Sequence, residues 1–216
     1  MSEKLKICSM NCQGLGDSRK RRDIFNYLRK SNYSILCLQD THFSKEKEKI
    51  IETEWGYKTY FNSLNSKSRG VAIFFNNNFE FKILNTYKDN SGNILILNIE
   101  TEKLSFLLVC LYGPNKDSPE FYQTIFTRIL NFNTSNILIV GDWNLILNPE
   151  IDCKNYKNLN NPRARQQVLN LMNSLNLYDA WREENQENKL YTWKRKLQDG
   201  RIQMGRLDFF YYLKPF

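Results

Sequence analysis

The chain has 216 residues, with 31 Lys and Arg against 23 Asp and Glu, and a formal net charge of +8. That length suits one large α/β or α+β domain, or at most two small ones, and 41% hydrophobic with 14% aromatic residues is enough for a sizeable core. No apolar run approaches bilayer-spanning length, and a pI near 9.2 points to an anionic partner such as nucleic acid.

Met1–Lys6 leads directly into a strand-like segment, so no secretory leader is expected. Cys8, Cys12, Cys37, Cys110 and Cys153 form no C-x-x-C pair, and three lie in apolar runs. They read as reduced core thiols of an intracellular protein, nuclear or cytoplasmic. Residues 5–10 alternate as a strand that ends in the glycine-punctuated loop Asn11–Gly16. Residues 18–31 predict a helix, with Asp17 or Ser18 as its cap and Ile24, Phe25 and Leu28 as its apolar stripe. A second strand over 34–38 delivers Gln39 and Asp40 at its carboxyl end.

A charged helix is expected over 44–54. Strands follow near 57–61, 70–75, 79–87, 93–100 and 104–111, with turns at Asn76–Asn78 and Ser91–Asn93. The last of these strands runs into Tyr112-Gly-Pro-Asn115. A helix over 119–131 carries Phe121, Ile125, Phe126 and Ile129 on one face, and another over 163–175 follows Pro162 with Val168, Leu169 and Met172 inward. Segments 190–194 and 201–212 read as a hairpin bearing Lys194, Arg195, Lys196 and Arg201 around its tip. With no repeat, linker or boundary, 1–216 reads as a single mixed α/β domain.

Chemistry concentrates after the apolar strand Ile137–Val140, which Gly141 is expected to stop. Asp142 and Asn144 flank Trp143; on an extended backbone their side chains would point the same way. A carboxylate can orient or deprotonate a water, and an amide can donate to a crowded phosphate without adding charge. A strand-end turn with Asp and Asn in turn roles explains the same residues. Polar residues recur where apolar strands end, at Asn11, Asp40 and Tyr112, so they can converge on one rim if the strands share one or two sheets.

The ordered set Ser-Met-Asn11, Leu-Gln-Asp40-Thr-His42, Leu-Tyr112-Gly-Pro-Asn, Gly-Asp142-Trp-Asn144 and Arg206-Leu-Asp208-Phe-Phe resembles the endonuclease/exonuclease/phosphatase superfamily. It is most similar to the apurinic-type endonuclease domain of non-LTR retrotransposons, with which Tyr178-Asp-Ala-Trp-Arg and Tyr191-Thr-Trp also fit. The resemblance implies a four-layer α/β sandwich of two mixed sheets flanked by helices. It implies a Mg²⁺ (or Mn²⁺) site at Asn11 and Asp40, and Tyr112 and Asn144 on the scissile phosphate. Asp142 would activate water, and Asp208 would orient a catalytic histidine. The implied partner is double-stranded DNA, with Thr192, Lys194, Arg195, Lys196 and Arg201 as the contacting hairpin. A monomer is expected, in a reading frame that also encodes a reverse transcriptase.

Two departures stand out. The family usually has Glu where this chain has Asp40, one methylene shorter, so weakened metal binding is expected. A Ser-Asp-His ending is missing downstream of Asp208, and His42 does not replace it by motif; a local hydrogen-bonding role suits His42 better. The resemblance therefore implies a fold lacking its last strand or strands, with an edge left unpaired and nicking activity impaired or absent. A non-catalytic nucleic-acid-binding remnant, or a phosphatase or phosphodiesterase of the same superfamily, are the other readings.

Overall fold

The computed structural model describes residues 5–76, 79–132 and 134–213. Of the turn expected at Asn76–Asn78, Asn77 and Asn78 lie outside the described residues. The fold is mixed α/β, with two large mixed sheets and helices. The chain forms two compact units, Met1–Tyr112 and Gly113–Phe216.

The first unit runs β1 (Ile7–Asn11), α1 (Ser18–Lys30), β2 (Ile35–Gln39), a 3₁₀ turn (Lys45–Lys47), α2 (Glu48–Trp55), β3 (Thr59–Asn62), β4 (Val71–Phe75), β5 (Lys82–Lys88), β6 (Ile94–Glu100) and β7 (Ser105–Tyr112). One sheet has the order β1-β2-β4-β3. Its β1–β2 pair is parallel, the register that a crossover helix such as α1 permits. Asp17, not Ser18, caps α1, accepting from the Lys20 N–H at 2.8 Å, and Arg29 and Lys30 meet the negative end of the helix dipole. Phe25 of α1 packs edge-on against Trp55 and Phe74, each 5.4 Å away between ring centroids. All five residues of β2 and of β4 are buried, as expected of strands covered on both faces. Strands β5, β6 and β7 form an antiparallel meander.

The second unit runs α3 (Pro119–Leu130), β8 (Ile137–Asp142), α4 (Pro149–Asp152), β9 (Cys153–Lys154), α5 (Pro162–Ser174), β10 (Leu177–Asp179), α6 (Ala180–Glu184), β11 (Trp193–Lys196), β12 (Ile202–Gly205) and β13 (Asp208–Leu213). Strand β13 lies antiparallel between β8 and β10, while β12 lies antiparallel between β11 and β9.

Two expectations need correction here. Gly141 does not stop the central strand: it pairs with Phe209, and β8 continues to Asp142. Residues 201–212 are not one hairpin arm either. The chain leaves the hairpin after Gly205, where the Arg206 N–H bonds the Asp152 carbonyl at 2.8 Å, and Asp208 begins a strand paired to β8.

Candidate active site

Asp142 ends β8, and its partner across the antiparallel pair is Asp208, the first residue of β13. After Asp142 the chain turns instead of staying extended. Asn144 has φ 51°, a left-handed conformation that Asn tolerates, and its N–H donates to Asp142 Oδ1 at 2.9 Å. The carboxylate and the amide are therefore joined by a local turn, the strand-end alternative that the sequence left open. The turn is anchored on three sides. Trp143 N–H bonds the Leu207 carbonyl at 2.8 Å, Gly113 N–H bonds the Asp142 carbonyl at 2.6 Å, and Asn144 Nδ2 donates to the Gly113 carbonyl at 2.6 Å. Only glycine fits at 113, since a Cβ there would lie 2.2 Å from the Trp143 carbonyl oxygen. The Trp143 indole is fully buried, stacked on Tyr122 and edge-on to Tyr211.

Asp208 is held by its backbone N–H, which with that of Leu207 donates to Thr192 Oγ1 at 3.2 and 3.0 Å. Burial pushes its carboxyl up to about 7, the Asp142 charge adds to the rise, and the Thr192 hydroxyl opposes it. Near neutral pH the Asp208 carboxyl can therefore hold a proton beside the Asp142 charge. The same unit holds a buried charge network. Arg206 is 2% exposed; it ion-pairs Asp152 at 2.9 Å and bonds Asp179, while Arg182 reaches the same Asp152 oxygen at 2.8 Å. The Arg206 guanidinium also lies 4.4 Å over the Phe209 ring.

In the first unit, Asn11 ends β1 beside Gln39, the last residue of parallel β2, and Asp40 follows. Asn11 Oδ1 accepts the Gln13 N–H at 3.0 Å. Asp40 Oδ1 lies 3.0 Å from His42 Nε2 and accepts the Arg69 N–H at 3.1 Å. His42 thus has the local hydrogen-bonding role expected of it. Gln13, Asp40, His42 and Arg69 all have φ between 47° and 61°. Such residues cost on the order of 1–3 kcal/mol each and persist where their surroundings hold them. Here the turns are tied together by Thr41 N–H to Gly70 O, His42 N–H to Arg69 O and Gly14 N–H to Asp40 O. Tyr112 ends β7; its N–H bonds the Asn93 carbonyl at 2.8 Å, and Asn93 Nδ2 donates back to the Tyr112 carbonyl. Asn93 is itself fixed through the Asp89 carboxylate.

The hairpin of β11 and β12 exposes Lys194, Arg195, Lys196 and Arg201. Arg201 is paired with Asp199 at 2.7 Å and Arg195 donates to Gln203 at 2.8 Å. All five cysteines are free thiols. Among the described residues no helix is long and apolar enough to cross a membrane, and no three His, Cys, Asp or Glu side chains cluster as a ready metal site.

Residues 8–212 match the model of the Endonuclease/Exonuclease/phosphatase family. The chain belongs to that family. Among solved structures similar to this chain are the catalytic domain of APE2 from Xenopus laevis and the AP endonuclease LMAP from Leishmania major. The first has a TM-score of 0.73 at 19% identity, covering 97% of this chain and 82% of the other. The second has a TM-score of 0.75 at 16% identity, covering 96% and 78%. These likenesses bear on the fold. A curated relative, the transposon TX1 uncharacterized 149 kDa protein of Xenopus laevis, is 26% identical over 214 residues. The match takes in 96% of this chain but only 16% of that relative's length.

Within the family fold, the structure brings Asn11 and Asp40 together at neighbouring strand ends and places Tyr112 at the end of β7 in the same unit. Asp142, Asn144 and Asp208 come together in the second unit. Sequence reasoning missed Asn93, Gly113, Arg206 and the supporting part of Thr192. A usable signal existed for Gly113, which sits between a site tyrosine and a proline, and for Arg206, which sits two residues before Asp208.

Proposed function

We propose that this chain is a Mg²⁺-dependent DNA endonuclease domain of the target-nicking kind found in non-LTR retrotransposons, working within a longer polyprotein. The observation that carries the reading is the Asp142–Asn144 turn set against Asp208, in a chain that matches the nuclease-containing family over 8–212.

The Asp142 carboxylate takes the proton of the attacking water or orients it. Its position is fixed by the Asn144 N–H and by the strand pairing, so the lone pairs that meet the water need little reorganisation. The Asn144 amide hydrogen-bonds the phosphate, the part that the resemblance also gives to the Tyr112 hydroxyl. Asp208 keeps a proton close to Asp142 while the charge moves, because a second carboxylate in that buried place is disfavoured.

Asn11 and Asp40 fit a hard divalent cation. They supply one amide and one carboxylate at adjacent strand ends, and an oxygen donor set of this kind suits Mg²⁺, which retains several waters; Mn²⁺ would also fit. Bound there, the ion would offset charge developing on the phosphate and on the leaving oxygen. The Asp40 oxygen that is already bonded to Arg69 and His42 keeps the carboxylate aimed. Cleavage would leave a nicked strand with a 3′-hydroxyl. Thr192, Lys194, Arg195, Lys196 and Arg201 would meet duplex DNA, chiefly through phosphates.

Nicking of supercoiled plasmid tests the reading. Mg²⁺-dependent conversion to the open circle, slowed by the lack of the Ser-Asp-His residues that the resemblance implies, abolished by Asp142→Ala and lowered further, roughly 10²–10³-fold, by Asn144→Ala, is expected. Conversion that survives Asp142→Ala would overturn it.

A further inference from the structure

The tip of the β5–β6 hairpin turns inward. Hairpin tips usually lie open to solvent and tolerate change, yet Gly92 and Asn93 are buried, Asn93 to 5% exposure. Asp89 folds this tip. Its Oδ1 accepts the N–H groups of Asn93 at 2.9 Å and Ile94 at 2.8 Å and the Asn62 Nδ2 at 2.7 Å, while Oδ2 accepts the Ser91 N–H at 3.0 Å. Hydrogen bonds to a carboxylate are roughly twice as strong as neutral ones, and these hold the turn both to itself and to the end of β3.

Two segments are attached to the turn. On one side the Gly92 carbonyl accepts the Gly70 N–H at 3.0 Å, and the Gly70 carbonyl accepts the Thr41 N–H at 3.0 Å. Thr41 follows Asp40, and Arg69, whose N–H bonds the Asp40 carboxylate, precedes Gly70. Both glycines have left-handed φ and no room for a side chain. A Cβ at 70 would fall 2.6 Å from Thr41 Oγ1, and one at 92 would fall 2.8 Å from Leu64 Cβ. On the other side Asn93 holds Tyr112 by both backbone groups, its carbonyl accepting the Tyr112 N–H and its amide donating to the Tyr112 carbonyl. Contacts thus run unbroken from Asp40 through Gly70, Gly92 and Asp89 to Tyr112, all within the first unit.

We propose that the Asp89 turn is a brace that holds the Asp40 loop and the Tyr112 strand end in one frame. Asp89 and Asn93 are then positioning residues for cation and phosphate, acting through Gly92 and Tyr112. The proposal rests on the nuclease reading for the roles of Asp40 and Tyr112 and adds what sets their spacing. Groups that orient a metal ligand from behind change metal affinity by about 10–100-fold when removed, so a brace of this kind has a signature apart from stability.

The test uses the 216-residue chain and measures Mn²⁺ binding without DNA by electron paramagnetic resonance, amide hydrogen exchange without metal, and plasmid nicking. Asp89→Ala should weaken Mn²⁺ binding about 10–100-fold and speed exchange at the Thr41, Gly70 and Tyr112 amides. Asp89→Asn keeps an oxygen for the Asn62, Asn93 and Ile94 donors and should retain most of the affinity. Asn93→Ala frees Tyr112 but leaves Gly92 on Gly70, so nicking at saturating Mg²⁺ should fall roughly 10–100-fold while Mn²⁺ affinity holds. Leu28→Ala, in the core of α1, is the control that destabilises the unit with the brace intact. Parent-like Mn²⁺ affinity in Asp89→Ala, or an equal loss in Leu28→Ala, overturns the brace and leaves the nuclease reading to the parent's own nicking. If the parent neither nicks nor binds Mn²⁺, the nuclease reading falls and exchange alone decides. Faster exchange at those three amides confined to the Asp89 variants then supports the brace, and equal exchange in Leu28→Ala overturns it.

Discussion

Asp208 faces Asp142 from the first position of β13 to the last of β8. Burial and the facing charge raise the Asp208 carboxyl from 3.8 to about 7. An acid raised in the folded state binds a proton there that the unfolded chain has already released. Stability therefore falls as pH climbs from about 4 to about 7 and is flat above that window. Asp208→Asn carries no such proton, so its melting temperature relative to the parent should rise across the window. Thermal melts at stepped pH read this directly. A difference between the two proteins that stays constant with pH would show that Asp208 titrates normally.

The long, periodic elements were legible in the sequence because their burial leaves a pattern. Phe25 and Leu28 of α1, and Ile125, Phe126 and Ile129 of α3, are buried as their spacing requires. The fully apolar β2 and β4 are interior strands. What sequence could not show is long-range or short. The pieces α4, β9, β10 and α6 have two to five residues, too few for periodicity to register. The break between β12 and β13 depends on Arg206 meeting Asp152, 54 positions earlier, and nothing local announces it. The candidate residues Asn11, Asp40, Tyr112, Asp142 and Asn144 stood out through their place at strand ends, and Asp208 through the family resemblance. The turn at Asn144 was one of two readings left open, because an extended backbone and a left-handed one are equally open to an Asp-Trp-Asn string.

The Arg206 network should matter more to folding than its distance from the chemistry suggests. Arg206 and Asp152 are nearly sealed from water, at 2% and 1% exposure. Removing one partner of such a pair leaves a charge buried and uncompensated, a loss of about 3–5 kcal/mol. Arg206→Met keeps the volume and deletes the charge, so denaturant unfolding should show that loss. The double variant Arg206→Met/Asp179→Asn should recover part of it, since Asp152 keeps Arg182 while position 179 no longer carries a charge without its guanidinium partner. Additive losses in the cycle would mean that the two residues act independently.

Asp40 orders its loop as well as offering an oxygen to a cation. Its Oδ1 accepts the Arg69 N–H and faces His42 Nε2, and all three residues have positive φ. Asp40→Asn retains an acceptor for the Arg69 N–H while removing the charge. It should therefore fold much like the parent yet need more Mg²⁺ for half-maximal nicking, by roughly 10–100-fold. Asp40→Ala should raise the requirement further and also lower the melting temperature, because the Arg69 turn loses its tether. An unchanged Mg²⁺ requirement in both variants would move the metal away from Asp40.

The hairpin cations separate by what they already touch. Arg201 is matched by Asp199 and Arg195 bonds Gln203, while Lys194 and Lys196 stand exposed on β11. A cation that neutralises a phosphate releases condensed counterions, and each such contact contributes about 0.9 to the slope of log affinity against log salt. Replacing Lys194 and Lys196 with Gln should therefore flatten the slope by up to about 1.8 while weakening duplex binding uniformly across sequences. Arg201→Gln should change it less, because its guanidinium already faces a carboxylate and must break that pair to reach DNA. Fluorescence anisotropy over a salt series measures both. Equal slopes in the parent and in the quadruple variant lacking Lys194, Arg195, Lys196 and Arg201 would take the hairpin out of the DNA interface.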